Sequence, residues 1–283
     1  MTSAPSSSAN YCYRHPDRQS FILCQRCGRT ICPQCQTQAA VGVHCPECVR
    51  EGRASAPRTQ WNPLARLRGG DQPWVTWSIM ALCVVIYILQ ILPGSPVTGA
   101  LAYLAGLPYA ATEPWRMITY AFVHSPGSIA HIGLNMLSLF LFGPVLEQTV
   151  GKIRYLALYL VSAIGGAVAV LLLAPGGSVV GASGAIFGLL GAVFIIQRKL
   201  GGNTTQLLIL IGLNLAIGFL PGTNISWQGH LGGLIAGAAV AFVYLRTRKA
   251  SQRTLQVGLV VLIVAALIAI VAIRLLLAVY AGV

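Results

Sequence analysis

Seven long apolar stretches constrain this chain more than any other feature of its sequence. They cover residues 74–92, 130–148, 153–173, 182–197, 205–220, 229–245 and 255–280. A helix needs about 20 apolar residues to cross a bilayer, and each stretch is close to that length, although the fourth to sixth are short. The mean hydropathy is +0.72 and only 9% of the residues are charged, against about 25% in soluble domains. We therefore predict an all-α polytopic membrane protein.

The basic residues predict how the chain is oriented. Seventeen of its 19 Lys and Arg residues lie before the first apolar stretch or at the loops that follow the second, fourth and sixth. Lys and Arg are enriched in cytoplasmic loops, so we expect a cytoplasmic N-terminus and an extracytoplasmic C-terminus. The short loops favour a bacterial plasma membrane. Because the positive charge alternates with the apolar stretches, the net charge of +13 does not indicate a nucleic-acid partner.

Changes of composition divide the chain into five parts. Residues 1–10 are rich in Ser and Ala and are predicted to be disordered, and residues 11–50 form a cysteine-rich module. Residues 51–73 combine Pro and Gly with basic residues, which is typical of a linker lying against an anionic membrane face. We assign the first six apolar stretches to a core at residues 74–250 and the seventh to residues 251–283.

The cysteine-rich module predicts metal binding. It contains four ligand pairs, one Cys-x2-His and three Cys-x2-Cys, and seven of the eight cysteines of the chain. Such pairs are typical of tetrahedral zinc sites, and the module has so few apolar residues that its fold would depend on metal. The alternative is a disulfide framework, which a reducing cytoplasm disfavours.

The order of the pairs resembles that of B-box-type zinc fingers, in which the pairs interleave. This resemblance implies two structural zinc ions, one bound by Cys12, His15, Cys32 and Cys35 and the other by Cys24, Cys27, Cys45 and Cys48. His44 is a spare ligand, so the partition stays open. The zinc pattern itself says little about function, and a protein partner for the module is a hypothesis.

Two polar residues stand at the beginnings of apolar stretches. Ser183 lies in Gly-Ala-Ser-Gly at the start of the fourth stretch, and His230 lies in Gly-His-Leu-Gly-Gly at the start of the sixth. In the predicted orientation both residues lie within the bilayer, close to its outer face. Polar side chains inside a bilayer are costly and usually functional. A serine becomes a nucleophile when a base lies within reach. The fourth to sixth stretches contain no Asp or Glu, so we favour a Ser-His dyad over a triad; plain helix packing is the alternative.

Further residues fit this interpretation. Glycines spaced four apart let helices approach closely, and such spacings occur in the fourth stretch and in the sixth, where Gly229, Gly233 and Gly237 follow one another. His131 and Asn135 share one helix face in the second stretch, and both can donate hydrogen bonds to an oxyanion. The alternative for these two is interhelical hydrogen bonding.

Taken together, the motifs resemble those of the rhomboid family of intramembrane serine proteases, in the family's order and spacing across residues 74–250. The resemblance implies a six-helix core with one additional C-terminal transmembrane helix. The motifs that carry it are Trp115-Arg116, His131-x3-Asn135, Glu147-x3-Gly151, Gly181-x-Ser183-Gly184 and His230-x2-Gly233-x3-Gly237.

The resemblance also implies roles. Ser183 would be the nucleophile, His230 the general base, and His131 and Asn135 the oxyanion donors. Phe187 stands where many members have a tyrosine beneath the base. His124, Trp115, Arg116 and the motif glycines would be structural.

The implied activity is cleavage of transmembrane segments of other membrane proteins within the lipid bilayer, near its outer face and without a cofactor. One alternative is a non-catalytic relative that binds and sorts membrane clients. A transporter is less consistent with the sequence, because the fourth to sixth stretches lack acidic residues that would line a midplane site.

Overall fold

The computed structural model describes residues 10–39, 42–55, 72–220, 223 and 225–281. Residues 1–9 of the segment predicted to be disordered, and residues 56–71 of the predicted linker, lie outside this described part. The chain divides into two compact units, Met1–Asn62 and Pro63–Val283.

The first unit consists of short elements joined by tight turns. Strands β1 (Tyr11–Cys12) and β2 (His15–Gln19) pair antiparallel, as do β3 (Thr37–Gln38) and β4 (Val43–His44). A 3-10 turn separates the two sheets, and helix α1 (Pro46–Ser55) closes the unit. The helix extends five residues into the segment predicted as linker.

The core of the described part of this unit is made almost entirely of residues that could bind a metal. Six of its seven cysteines are buried, and among the described residues Ile31 is the one aliphatic side chain that is fully buried with them. A cluster of this size buries little apolar surface, so hydrophobic burial alone does not hold such a unit together.

In the described part of the second unit, the first helix is α2 (Trp74–Gln90). An irregular segment follows that contains the short helices α3 (Val97–Leu101), α4 (Leu107–Thr112) and α5 (Arg116–Thr119). Between α3 and α4, strand β5 (Tyr103–Leu104) pairs antiparallel with β6 (Ser178–Val179). This pairing fixes the irregular segment to the loop immediately before Ser183.

The remaining helices complete the seven that the apolar stretches predict. In chain order they are α6 (Ile129–Val150), α7 (Lys152–Leu173), α8 (Ser183–Lys199), α9 (Thr205–Ile217), α10 (Trp227–Arg246) and α11 (Arg253–Ala281). Of the helices in the described part of the chain, α6, α7, α10 and the segment Ala250–Ala278 are long and apolar enough to cross a membrane. Helix α9 has only 13 residues, so the predicted stretch 205–220 is too long at its end.

Glycines bring three of these helices into backbone contact. A Cβ at Gly233 of α10 would overlap the carbonyl oxygen of Gly184 on α8, and a Cβ at Gly237 would overlap that of Gly188. On the other side of α10, a Cβ at Gly232 would overlap the carbonyl oxygen of Gly165 on α7. Close packing of α8 and α10 through small residues, as the glycine spacing predicts, is confirmed.

Two polar clusters join helix ends. The buried carboxylate of Glu147 accepts hydrogen bonds from the backbone N–H groups of Val75 and Thr76, at 3.0 and 2.8 Å, and from the Thr76 hydroxyl. It therefore caps the N-terminus of α2, where backbone N–H groups lack acceptors. At α11, buried Gln256 accepts from Arg154 Nε at 2.6 Å and donates to the Thr247 carbonyl at 2.9 Å. This bonding ties the beginning of α11 to α7 and to the end of α10.

Candidate active site

Ser183 is the first residue of α8 and is half-buried. The chain reaches it through Gly181, whose φ of +126° is open to glycine but not to residues with a side chain. The Gly181 N–H donates to the carbonyl of Tyr120 at 3.0 Å. Because Ser183 opens the helix, its own N–H has no intrahelical acceptor and is available to an anionic oxygen at this helix end.

His230 lies one turn inside α10, where it meets the serine. Its Nε2 is 2.9 Å from Ser183 Oγ, although the two residues are 47 positions apart in sequence. The start of α10 is fixed by Ser226, whose hydroxyl accepts from the Gly229 N–H at 3.2 Å. The imidazole is buried, and its Nδ1 has no hydrogen-bond partner within the described part of the chain. The arrangement therefore has two members, with no carboxylate behind the histidine among these residues.

Phe187 supports the imidazole from one face. Its ring is stacked on that of His230, with centroids 4.1 Å apart and planes inclined by 9°. Phe187 lies one turn after Ser183 on α8, so the same helix carries the hydroxyl and the ring beneath the histidine.

His131 lies in the first turn of α6, next to the turn at Gly181. Its Nδ1 accepts a hydrogen bond from the Ser125 N–H at 3.3 Å, so a neutral ring carries its proton on Nε2. A Cβ built at Gly181 would lie 2.7 Å from this Nε2. The ring therefore presents an N–H group to the turn that leads into Ser183.

Asn135 is buried one turn further along α6, as predicted from the i, i+4 spacing. Its Nδ2 donates to the carbonyl of His131 at 2.8 Å. Within the described residues, the side-chain bond of Asn135 is thus made inside its own helix and not to Ser183 or His230. An amide nitrogen carries two N–H groups, which leaves one for a further acceptor.

Trp115 and Arg116 lie at the start of α5, on the irregular segment and not at the dyad. The Arg116 guanidinium is buried, pairs with Glu113, and donates to the carbonyls of Gly99 and Ala102 at 2.6 and 2.8 Å. Arg116 thereby ties α5 to α3, whereas Trp115 is 51% exposed. The contacts of Arg116 thus join parts of the irregular segment, and the structural role predicted for this motif stays a prediction.

Two residues near the site were not predicted from the sequence to have a role there. Tyr120 lies beneath α8, where its hydroxyl donates to the Ala163 carbonyl at 2.8 Å while its own carbonyl holds Gly181. Gln90 brackets the peptide of His124, since its amide donates to the His124 carbonyl at 2.6 Å and accepts from the His124 N–H at 3.0 Å. The role of Gln90 could have been predicted from its position, because a glutamine at the end of an apolar stretch is a polar residue that needs a hydrogen-bond partner.

The cysteine module holds two separate groups of ligand atoms. In each group the four atoms lie within 4.8 Å of one another, and the members are Cys12, His15, Cys32 and Cys35 in one group and Cys24, Cys27, Cys45 and Cys48 in the other. This is the partition that the B-box resemblance implies, and His44 belongs to neither group.

The distances in these groups fit a tetrahedral metal. The sulfurs of Cys12, Cys32 and Cys35 lie 3.7, 3.5 and 3.4 Å from His15 Nδ1. Bonds of about 2.0–2.3 Å to a central ion give tetrahedral edges of roughly 3.5–3.8 Å. All eight cysteines of the chain are free thiols, so the structure contains no disulfide framework.

Backbone donors favour the ionised form of one thiol in each group. Burial opposes ionisation of Cys12, but hydrogen bonds from the backbone N–H groups of Cys32 and Arg14 outweigh it and lower its pKa to about 6. Burial likewise opposes ionisation of Cys24, whose pKa is lowered to about 6 by the N–H groups of Cys45 and Arg26. Burial raises the pKa of Cys35 to about 11 and also raises the pKa of Cys48. Each group therefore holds one thiol that ionises readily to the thiolate, which is the metal-binding form, and one that does not.

The fold and site define a class of protein, namely a polytopic helical membrane protein with a serine and a histidine in contact at the ends of two closely packed helices. The rhomboid domain family model matches residues 111–247. The chain is 33% identical over 191 residues to the rhomboid protease GlpG of Haemophilus influenzae, across 64% of this chain and 96% of that protein. The chain therefore belongs to the rhomboid family.

Longer relatives match over part of their length. The chain is 36% identical over 175 residues to the rhomboid protease GluP of Bacillus subtilis, across 59% of this chain and 34% of that protein. It is 40% identical over 143 residues to RHOMBOID-like protein 5 of Arabidopsis thaliana, across 47% of this chain and 45% of that protein. The chain thus spans less than half the length of these two relatives.

Proposed function

We propose that the chain is an intramembrane serine endopeptidase in which Ser183 is the nucleophile and His230 the general base. The observation that carries this proposal is the 2.9 Å contact between Ser183 Oγ and His230 Nε2. A serine is activated by a base within hydrogen-bond reach, and the stacked Phe187 ring holds the imidazole in that position. The similarity to proteins named rhomboid proteases supports the same activity.

In the proposed reaction the Ser183 hydroxyl donates its proton to His230 Nε2 as Oγ attacks a peptide carbonyl. The negative charge that develops on the carbonyl oxygen is met by the Ser183 N–H, the Nε2–H of His131 and the remaining N–H of Asn135. His230 then protonates the leaving amine, and a water molecule, activated by the same histidine, hydrolyses the acyl-enzyme. No step needs a metal ion or an organic cofactor.

The substrates we propose are transmembrane segments of other membrane proteins. Ser183 and His230 lie at the N-terminal ends of α8 and α10, whereas basic residues lie in the last turns of the same helices. By the positive-inside rule, those last turns face the cytoplasm and the dyad lies near the extracytoplasmic face. By the same rule we propose a cytoplasmic N-terminal module and an extracytoplasmic C-terminus, and from the short loops we propose the plasma membrane of a bacterium.

We propose zinc as the metal of both Cys/His groups, with a structural role. Each group supplies four ligands and leaves no position for a substrate, which is typical of structural zinc. In the bound state the ions would cross-link the turns of the module and would take no part in peptide cleavage.

The test is cleavage of a transmembrane substrate by purified full-length protein in liposomes, with Ser183→Ala and His230→Ala as comparison variants. We expect cleavage by the wild type and at least a 1,000-fold loss in either variant, on the order of other serine hydrolases. Labelling with a fluorophosphonate reports the nucleophile independently of substrate choice, because an activated serine reacts with it. Absence of both cleavage and labelling would instead favour a non-catalytic protein that binds membrane clients.

A further inference from the structure

The cysteine module exposes a run of three apolar side chains. Phe21, Ile22 and Leu23, which we name the apolar tip, are 71%, 45% and 50% exposed. They connect β2 to Cys24, the first ligand of the second metal group. The described core of this unit contains one fully buried aliphatic residue, so the unit has few apolar residues. Three consecutive apolar side chains that are exposed therefore indicate a contact surface.

The backbone of the apolar tip is held in place. The Ile31 N–H donates to the Ile22 carbonyl at 2.8 Å, and Leu23 forms a bridge with Thr30. Ile31 is fully buried and next to the ligand Cys32. The tip is therefore presented by a fixed turn, and its side chains need little ordering on binding.

Basic residues lie near the tip in the sequence, although one of them, Arg26, donates from Nη1 to the Cys48 carbonyl at 2.9 Å. Arg18 precedes it by three residues, Arg26 follows it by three, and Arg29 adjoins Thr30, the bridge partner of Leu23. All three are exposed. Arg18 also contacts Asp17 at 3.8 Å, but the sequence contains no acidic residue between Arg18 and Pro46. The tip thus combines exposed apolar side chains with a positive rim.

A membrane fits this surface better than a protein partner does. Stable protein interfaces bury about 800 Å² on each partner, which is more than three side chains on a turn provide. Apolar residues flanked by Lys or Arg are typical of segments that lie at the interface of anionic bilayers. The module belongs to the same chain as the membrane helices, of which α2 begins at Trp74.

We propose that the apolar tip inserts into the headgroup region of an anionic membrane, with Arg18 and Arg29 placed to contact lipid phosphates. The module is then a peripheral anchor for the membrane domain. This inference does not depend on catalysis, because it concerns only surface residues of the module and a chain that is embedded in a bilayer.

The experiment places a photoreactive residue in the tip of the full-length protein. Phe21→p-benzoylphenylalanine is reconstituted in vesicles of phosphatidylcholine with phosphatidylglycerol, irradiated and analysed by mass spectrometry. The same residue at Thr37, exposed on the other two-stranded sheet, is the control. We expect lipid adducts at position 21 and few at position 37. Metal analysis of both variants verifies that the module is folded.

A charge comparison completes the test. Each arginine near an anionic surface changes the binding constant about fivefold, so adding R18Q and R29Q together should lower adduct formation at position 21 by roughly 25-fold when the bound fraction is small. Vesicles of phosphatidylcholine alone should lower it as well. The proposal would be overturned by equal labelling at positions 21 and 37 or by adducts with protein instead of lipid. It would also be overturned if labelling did not change with either the lipid charge or the two arginines.

Discussion

The imidazole of His230 lies parallel to the ring of Phe187, at a centroid distance of 4.1 Å. Since Nδ1 of His230 has no partner among the described residues, two contacts orient this ring, namely the Phe187 face and the Ser183 hydroxyl. In a triad a carboxylate would bond to Nδ1 and fix the ring. Here the ring of Phe187 helps to orient the imidazole, but unlike a carboxylate it carries no negative charge.

The first prediction concerns this stacking. Removing the ring in Phe187→Ala should lower kcat about 2- to 10-fold, because stacked aromatic pairs contribute roughly 0.5–1.5 kcal/mol. Phe187→Tyr keeps the ring and serves as the matched control, for which we expect kcat near that of the wild type. The measurement is the steady-state rate of substrate cleavage in liposomes. Equal rates for the Ala and Tyr variants would show that stacking does not orient the base.

The second prediction concerns the contact between α8 and α10. Gly233→Ala places a methyl group against the Gly184 carbonyl oxygen, so the helices must separate at the level of the dyad. We expect a loss of about 1–3 kcal/mol in stability, measured as a lower denaturation midpoint in detergent, together with loss of activity. Gly212→Ala on α9, where a Cβ meets open space, is the control and should change neither. An unchanged midpoint for Gly233→Ala would contradict the packing.

The third prediction separates the two proposed oxyanion donors from structural residues. Asn135→Ala and His131→Ala should each lower kcat roughly 100- to 1,000-fold, as removal of one oxyanion donor does, with little change in KM. Serine labelling by a small sulfonyl fluoride should fall less, since Ser183 and His230 remain. Near-wild-type kcat for Asn135→Ala would refute its role, and the bond from Nδ2 to the His131 carbonyl would then be its whole function.

The fourth prediction concerns the carboxylate cap of α2. Glu147→Gln replaces one of two acceptor oxygens with an NH2 group that faces N–H donors of Val75 and Thr76. Hydrogen bonds to charged groups contribute about 1.5–3 kcal/mol each, so we expect a loss of about 2 kcal/mol in unfolding free energy. The neighbouring Gln148 is exposed, and Gln148→Ala should leave the unfolding midpoint unchanged. Equal stability of the two variants would argue against the cap.

The fifth prediction counts metal. Purified protein should contain two zinc ions per chain, one for each ligand group, when measured by elemental mass spectrometry. Cys24→Ser removes a thiolate from one group and should lower the count to about one. Cys83→Ala is the control, because this buried cysteine of α2 belongs to neither group, and its count should stay at two. A different metal, or none, would contradict the zinc assignment.

The sequence was sufficient to predict the seven long apolar helices. Bilayer thickness sets a minimum length for an apolar helix, so continuous apolar stretches report the elements directly. The predicted stretches run past the last helical residue at α2, which ends at Gln90, and at α9, which ends at Ile217. Hydropathy does not distinguish a helix from the apolar turn that follows it. The irregular segment between α2 and α6 was not predicted in detail, since helices of four to six residues carry almost no periodic signal.

For the site, the motifs predicted that Ser183 and His230 come together but not how the two residues are held. The contact of Ser183 with His230 followed from two glycine-rich motifs at the same membrane depth. The roles of Gln90 and Tyr120 did not, because their bonds join residues 34 and 43 positions apart and depend on backbone carbonyls that exist at every residue. Such contacts are determined by the tertiary packing, and they produce no characteristic residue spacing in the sequence.

Helix α11 packs against α7 and α10, and it also meets α4. That flank of the core is therefore occupied by the chain itself. If the substrates are transmembrane segments, as we propose, one that approached on this flank would meet α11 before it reached α7 or α10. The additional helix therefore shields one side of the core from the surrounding lipid.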